Sequence, residues 1–497
     1  MEKLDQLKEK VREITYLGRA AAVLGWDQQT YMPSGGAEDR GNQLAVLGSL
    51  THRMFTSPEM GQLIEDCKPI VASMDPDSDD ACLVRMLDKN YKKNTRVPTE
   101  HVAEFAQVTT LAQETWARAR AASDFAAFRP YLERIVELRR QYASFFAPYD
   151  HVYDPLLDDF EPGLKTGDVQ AIFGALRPQQ VEIIQAITAR PQVDDAFLHR
   201  TYPEQGQWDF GVDVITRFGY DWNRGRQDKS AHPFTTSFGI GDVRITTRFD
   251  PERSASALFS TMHECGHALY EQGIDPILAG LPLADGASMA IHESQSRMWE
   301  NLVGRSLPFW TFFFPRFKER FPAQREGVDL QNVYRGINKV EPSLIRVEAD
   351  EATYNLHIML RLELEIALME GSLEVKDLPE AWNAAYLENL GIAPENDADG
   401  CMQDVHWFGG TIGGAFQGYT LGNILSAQFF EEARKALPGI HDDMRRGSFA
   451  GLHGWLRENI YRHGSKFTAP ELIERVTGRG LDIGPYIRYL REKYGKL

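Results

Sequence analysis

The sequence has no apolar run of the roughly 18 residues that an α-helix needs to cross a bilayer. Its opening alternates charges and lacks the apolar segment of a secretory signal. The sequence also has no block of basic residues. Its 54 Lys and Arg are outnumbered by 71 Asp and Glu, which gives a net charge of −17. Phosphate neutralisation requires a basic surface. We therefore expect a soluble, cytoplasmic protein that binds neither membranes nor nucleic acids.

Cysteine is scarce, with four residues among 497 and no CxxC pair. This spacing favours a reducing compartment over a disulfide framework. No internal repeat or low-complexity segment occurs, which argues against a solenoid. The length allows two or three domains, or one large helical body divided into lobes.

The periodic segments are mostly helical. Apolar residues at spacings of three and four predict an amphipathic opening helix over 4–17. Long helices are also predicted over 103–120 and 128–146. Glycines, prolines and aromatics in 25–37 predict a shaped loop, followed by a helix from about Glu38.

One β signal stands out. Two Thr-rich alternating runs, 234–238 and 242–248, flank the link Gly239-Ile240-Gly241. This pattern predicts a hairpin. A strand beside a cleft can hold an extended peptide by main-chain hydrogen bonds.

Directly after the hairpin comes the sequence HECGH at 263–267. On a helix, His263 and His267 lie four residues apart on one face and can bind one metal ion, with Glu264 beside them as a general base. This is the HExxH pattern of zinc hydrolases. The alternative is a helix that carries two histidines without a metal.

A catalytic zinc needs a third protein ligand. Tyr270 and Gly273 occupy the positions where a metzincin has glycine and histidine, which excludes that class. A predicted helix over 287–301 offers two carboxylates instead. Glu293 lies on the less charged part of this predicted helix, where burying an acid costs free energy unless the acid is paired or bound to metal. Glu293 is therefore favoured over Glu300 as the third ligand. For Glu300 the alternatives are a surface charge or a hydrogen-bond acceptor for a ligating histidine.

Six short motifs resemble one family in order and spacing, the thermostable metallocarboxypeptidases typified by carboxypeptidase Taq. They are HPF (232–234), DVRIT (242–246), HECGH (263–267), HESQ (292–295), IRVEAD (345–350) and GCMQDVHW (400–407). The early WDQ at 26–28 and the glycine-rich stretch 409–419 also resemble this family. The resemblance covers nearly the whole chain.

The resemblance implies that His263, His267 and Glu293 are the zinc ligands and that Glu264 is the base. Cobalt is a possible alternative, because the same nitrogen and oxygen donors accept it. In the family, the arginine that matches Arg346 anchors the C-terminal carboxylate of the substrate, and a guanidinium suits a two-bond clamp. The alternative for Arg346 is an ion pair on its own helix with an acid, namely Glu348, Asp350 or Glu351.

Tyr419 and His406 are candidate donors to the reaction oxyanion, by resemblance and because they lie in a flexible, glycine-flanked segment. Their alternative is aromatic packing. His232 is expected to line the substrate groove, while Arg244 either contacts substrate or pairs with an acid across the hairpin. The glycines of 409–414 lack the lysine of a phosphate loop and predict a mobile active-site loop.

The fold is thus predicted to be mainly α, with a deep cleft, the HExxH helix at its floor and a small hairpin or sheet beside it. The resemblance implies one metallocarboxypeptidase domain, 1–497, with a helical cover over about 1–130 and a catalytic body over 131–497. It also implies a homodimer acting on peptides with a free C-terminus. An endo-acting zinc oligopeptidase and a non-catalytic zinc-binding protein are the alternatives.

Overall fold

The computed structural model describes residues 2–252, 254–409 and 412–495, which are mainly helical with one small sheet. The predicted fold class is confirmed. The helices are α1 Glu2–Thr30, α2 Ala37–Phe55, α3 Pro58–Val71, α4 Asp79–Asn94, α5 Thr99–Ala122, α6 Phe125–Ser144, α7 Asp154–Leu157, α8 Thr166–Thr188, α9 Glu204–Phe218, α10 Ser254–Gly273, α11 Met289–Arg297, α12 Leu307–Arg320, α13 Leu330–Gly336, α14 Tyr354–Glu370, α15 Leu378–Leu390, α16 Phe416–Ala436, α17 Ile440–Arg445, α18 Ala450–Asn459, α19 Ala469–Thr477 and α20 Gly484–Tyr494. The strands are β1 Gly225–Lys229, β2 Thr235–Ser237 and β3 Val243–Thr247. No described helix is both long enough and apolar enough to span a membrane.

Helix α1 has the predicted apolar face but is longer than predicted. It continues through Gly25 to Thr30, so the loop predicted over 25–37 is wrong in its first half. A glycine inside a helix costs about 1 kcal/mol relative to alanine. Tertiary packing offsets that cost, because Trp26 is buried with its ring edge-on to Phe238 of the hairpin.

The two long helices predicted over 103–120 and 128–146 are confirmed as α5 and α6, with ends shifted by a few residues. Ser123 ends α5 in a left-handed conformation with φ 52°. The carboxylate of Asp124 then accepts a hydrogen bond from the backbone N–H of Ala127 and begins α6.

The predicted hairpin is confirmed. β2 pairs antiparallel with β3, with Thr235 opposite Ile245. The sequence did not predict β1, which pairs parallel to β3 on its other edge, with Gly225 opposite Val243. Its sequence, GRQDK, has no apolar alternation. The pairing of β1 therefore depends on tertiary position and not on local pattern.

The buried apolar residues form two clusters. The larger one extends through the body and includes Trp116 of α5, whose indole N–H donates to the carbonyl of Met402 at 3.0 Å. The smaller one joins α1, α3 and α4 to the segment 274–284. Arg19 connects α1 to the hairpin, because its guanidinium donates to the carbonyl of Ser237 at 2.7 Å. The division of the chain near residue 130 stays a prediction.

Candidate active site

Helix α10 presents the HECGH motif beneath the sheet, where it packs against β2 and β3. His263 and His267 lie one turn apart, with ring centroids separated by 4.9 Å. Helix α11 brings a carboxylate to the same place. Nε2 of His263 lies 3.8 Å from Oε2 of Glu293, and Nε2 of His267 lies 3.6 Å from Oε1. The structure thus brings together the three predicted ligands.

Glu300 has a different partner. It lies seven residues after Glu293, which places both on one face, and a wider π-helical turn over Met298–Val303 carries it. Its Oε2 lies 2.9 Å from Nδ1 of His263. Although burial favours the neutral acid, Arg297 and His263 hold the pKa of Glu300 down to about 2. An anionic acceptor at Nδ1 orients the ring and favours a proton on that nitrogen, which would leave Nε2 available to a metal.

His267 is oriented by two residues that lie outside the predicted ligand set. Its Nδ1 is hydrogen-bonded to Nδ1 of His292. Nε2 of His292 lies 2.8 Å from Oε1 of the buried Glu271. Sequence reasoning gave Glu271 no role, although its position four residues after His267 continues the same helical face.

Glu264 is buried on α10, next to His263 and beneath the sheet. Its Oε2 accepts a hydrogen bond from the hydroxyl of Thr235 on β2 at 2.6 Å. Burial raises the pKa of Glu264 above its usual value, against the opposing effects of His263 and Thr235. A carboxylate with a raised pKa suits proton transfer near neutral pH. Sequence reasoning did not identify Thr235, because only the fold places β2 over α10.

The donor set fits a divalent metal. The ligand atoms of His263, His267 and Glu293 all lie within 4.8 Å of one another. Two imidazole nitrogens and one carboxylate oxygen are donors that zinc and cobalt accept. In the part of the chain that the structure describes, no fourth His, Cys, Asp or Glu joins this cluster. Positions therefore remain for water and substrate.

Two glycines allow the helices of the site to approach closely. A Cβ at Gly266, the fourth residue of HECGH, would lie 2.6 Å from Cα of Ser296 and 2.7 Å from the carbonyl oxygen of Gln295. A Cβ at Gly422 on α16 would lie 2.5 Å from Cβ of Glu293. Gly266 therefore determines how near α11 lies to α10, and so how near Glu293 lies to the two histidines.

The substitution Gly266→Ala is expected to weaken Zn²⁺ binding by roughly 10-fold or more, since overpacking costs about 1–3 kcal/mol and would push Glu293 away. Competition with a chromogenic chelator measures the affinity. Gly48→Ala on α2 is the matched control, because nothing lies within 4 Å of its added Cβ. Equal affinities in the two variants would contradict this role for Gly266.

Arg346 is buried in a short 3-10 turn and not on a helix. Its Nε donates to Oδ1 of Asp404 at 2.9 Å, and its Nη1 donates to the hydroxyl of Tyr354 at 3.0 Å. The alternative of an ion pair within a local helix is wrong, since the partner lies 58 residues away in sequence. The backbone N–H of Arg346 donates to the Gln403 side chain.

Arg361, which sequence reasoning did not identify, completes this cluster. Its Nε donates to Oδ2 of Asp404 at 2.6 Å. Burial favours a neutral Asp404, but Arg361 and Arg346 hold the pKa of this carboxyl well below its usual range. The charges of two guanidiniums and one carboxylate sum to +1. A buried positive charge beside the metal-binding cluster suits an anionic group of a ligand.

His406 and Tyr419 lie beside each other, with Nε2 and the hydroxyl oxygen 3.5 Å apart. Burial and Arg346 lower the pKa of His406 to about 3, and burial raises the pKa of Tyr419 above its usual value. Both are therefore neutral side chains with a proton to donate. The expected flexible setting is wrong, because Tyr419 lies on α16 and His406 in the 3-10 turn Val405–Trp407.

The two other predicted substrate residues lie at the sheet. Arg244 makes two 2.8 Å hydrogen bonds to Asp242, and its guanidinium lies 4.4 Å from the ring centroid of Trp26. Arg244 thus pairs with an acid, but the acid lies two residues before it on the same side of the hairpin and not across the hairpin as predicted. His232 is exposed on the segment between β1 and β2.

The glycine-rich stretch is only partly described, because Gly410 and Thr411, part of the predicted mobile loop, lie outside the described residues. Its later part is held by buried groups. Nε of Arg139 donates to the carbonyl of Ile412 at 3.0 Å, and the backbone N–H of Gly414 donates to the hydroxyl of Tyr153 at 2.8 Å.

A cluster of two half-buried histidines and a buried glutamate, with a further buried glutamate beside it, suits hydrolysis on a divalent metal. The helical frame around it places the protein among the helical metallopeptidases. Comparison with known proteins gives the particular family. The family described as carboxypeptidase Taq (M32) metallopeptidase matches residues 6–494.

Thermostable carboxypeptidase 1 of Thermus thermophilus is 43% identical over 503 residues, covering 99% of this chain and 98% of that protein. Carboxypeptidase 1 of Bacillus subtilis is 37% identical over 488 residues, covering 98% and 97%. A crystal structure of an M32 carboxypeptidase from Deinococcus radiodurans R1 matches with a TM-score of 0.96 and 45% identity, covering 100% of this chain and 99% of that one.

The chain therefore belongs to the carboxypeptidase Taq (M32) family, as the resemblance of its motifs predicted. It is a metallocarboxypeptidase that uses a divalent metal and acts on peptides. This result favours the carboxypeptidase over the two alternatives, an endo-acting oligopeptidase and a non-catalytic zinc-binding protein.

Proposed function

We propose that the metal is zinc, that His263, His267 and Glu293 bind it, and that the enzyme removes C-terminal residues from peptides one at a time. The donor set of two imidazoles and one carboxylate supports zinc, and cobalt suits the same donors. When bound, the metal polarises the scissile carbonyl and makes water a stronger nucleophile at neutral pH.

Glu264 acts as the general base in this proposal. Its buried carboxylate takes a proton from the attacking water and later delivers it to the departing amine. The hydroxyl of Thr235 holds one carboxylate oxygen at 2.6 Å, which leaves the other free to exchange the proton. A pKa that burial raises favours the first step, because it makes Glu264 a stronger proton acceptor.

Tyr419 and His406 are proposed to donate hydrogen bonds to the developing oxyanion. Both are neutral and carry a proton at the edge of the Arg346 cluster. Removing one such donor from a hydrolase typically reduces kcat by about 10²–10³-fold.

Arg346 is proposed to bind the C-terminal carboxylate of the peptide. The observation that carries this proposal is the charge of its surroundings, since Asp404 is shared between Arg346 and Arg361 and one positive charge remains uncompensated. A free carboxylate compensates that charge, whereas an amide does not. This difference would restrict cleavage to the C-terminal residue.

A pair of peptides that differ only in a free or amidated C-terminus tests the proposal. We expect cleavage of the free acid to be at least about 10-fold more efficient in kcat/KM, since a hydrogen-bonded charge pair contributes about 1.5–3 kcal/mol. Mass spectrometry should show a ladder of products shortened from the C-terminus. Equal rates for both peptides, or internal fragments, would indicate an endo-acting oligopeptidase.

His232 and Arg244 are proposed to border the substrate groove at the sheet. Arg244 is oriented by Asp242 and by the Trp26 ring, so its guanidinium has a defined position beside α1. The homodimer and the cytoplasmic location stay predictions from the sequence.

A further inference from the structure

Tyr354 lies between the arginine cluster and the metal-binding residues, at the beginning of α14. Its side chain is 5% exposed. Its hydroxyl oxygen is 3.0 Å from Nη1 of Arg346. The guanidinium of Arg297 lies over the ring, 4.4 Å from the centroid, and Nε of Arg297 lies 3.6 Å from Glu293. Tyr354 therefore connects the two halves of the site.

The hydroxyl of Tyr354 still has a proton to donate. A guanidinium can only donate, so the tyrosine oxygen is the acceptor in its bond with Arg346. Over 2–252, 254–409 and 412–495, no protein group accepts a hydrogen bond from this hydroxyl. Buried hydroxyl groups normally find an acceptor. An anionic group of a bound molecule would supply one.

The position of the hydroxyl agrees with where the end of a substrate must lie. In a carboxypeptidase, the bond that is cut and the terminal carboxylate belong to the same residue. The carboxylate therefore binds within about one residue length, ~3.8 Å between Cα atoms, of the scissile bond. Tyr354 connects these two regions, because its hydroxyl contacts Arg346 and its ring contacts Arg297, which in turn lies beside Glu293.

We propose that Tyr354 is a second residue that recognises the C-terminal carboxylate: its hydroxyl donates to one carboxylate oxygen while Arg346 binds the same group. This proposal rests on the proposed role of Arg346. The bond from Arg346 polarises the hydroxyl and so strengthens it as a hydrogen-bond donor. The site would then recognise a free C-terminal carboxylate through two groups, the charged guanidinium of Arg346 and the neutral hydroxyl of Tyr354.

The variant Tyr354→Phe tests this, since it removes the hydroxyl and keeps the ring under Arg297. For a free-acid peptide we expect KM to rise by roughly 10- to 100-fold with kcat changed much less, because the carboxylate is bound equally in the ground and transition states. Inhibition by a free product amino acid should weaken by a similar factor. Inhibition by the amide of that amino acid should not change.

Tyr461→Phe is the matched control. The hydroxyl of Tyr461 is buried, as that of Tyr354 is, and accepts a hydrogen bond from the indole N–H of Trp299 at 3.2 Å. The substitution therefore also removes a buried hydroxyl, but one that lies outside the proposed carboxylate site. Its KM for the free acid should equal that of the wild type. Metal content and the thermal midpoint, measured for both variants, show that each is folded.

The outcomes separate the two proposals. If the wild type binds the acid and the amide equally, the role of Arg346 fails and that of Tyr354 fails with it. If the wild type prefers the acid and Tyr354→Phe retains the full preference, only the role of Tyr354 is overturned. Equal losses for acid and amide would also overturn it, since they would indicate a general packing defect.

Discussion

Glu264→Gln is expected to reduce kcat by about 10²–10⁴-fold while the protein retains its metal. Glutamine has nearly the same shape and can still accept the hydrogen bond from Thr235, but its amide cannot take a proton from water. Turnover of a free-acid peptide gives kcat. Elemental analysis of the purified variant gives the metal content.

Glu319→Gln is the control for this change, since Glu319 is an exposed acid on α12. Its kcat and metal content should equal those of the wild type. Retained turnover in Glu264→Gln would eliminate Glu264 as the base. If Glu264→Gln loses the metal, Glu264 stabilises the metal site, and the fall in kcat would no longer support a role in proton transfer.

Asp404→Asn is expected to lower the free energy of unfolding by about 3–5 kcal/mol, because it leaves Arg346 and Arg361 buried without their shared anion. Urea denaturation followed by tryptophan fluorescence measures this. The control is Asp442→Asn, which breaks an exposed pair with Arg445 and should cost less than about 1 kcal/mol. Similar losses in both variants would contradict the importance of the buried cluster.

The ion pairs of Asp404 also predict how the free energy of unfolding depends on pH. The pKa of Asp404 is depressed in the folded protein, so its contribution to stability is present above the pKa of the unfolded chain and disappears as pH falls toward the folded value. The difference in stability between wild type and Asp404→Asn should therefore stay constant from roughly pH 5 to pH 8 and decrease only in strong acid. A difference that disappears near neutral pH would contradict the buried ion pairs.

Local spacing predicted the parts of the site that one element carries. His263 and His267 lie on one face because four residues make about one helical turn. Glu293 and Glu300 lie seven residues apart, so spacing alone left both as candidate ligands. Only the approach of α11 to α10 gives them different positions, with Glu293 near Nε2 of both histidines and Glu300 at Nδ1 of His263.

Other features could not be predicted because they depend on segments far apart in the chain. Trp26 is helical because the hairpin covers it, although Gly25 beside it resembles a loop signal. Strand β1 has no apolar alternation and exists because β3 offers a free edge. Thr235 faces Glu264 only because β2 lies over α10.

The sequence by itself determined the helical class, the HExxH helix and the family, since periodicity and motif order are properties of the chain. The tertiary structure alone decided which groups surround those ligands. Asp404 balances two arginines from distant segments, and Gly266 lets two helices approach closely enough for Glu293 to lie beside both histidines. Burial is the physical reason: charges and hydroxyls removed from water must find partners inside the protein, and only the fold determines which partners lie within reach.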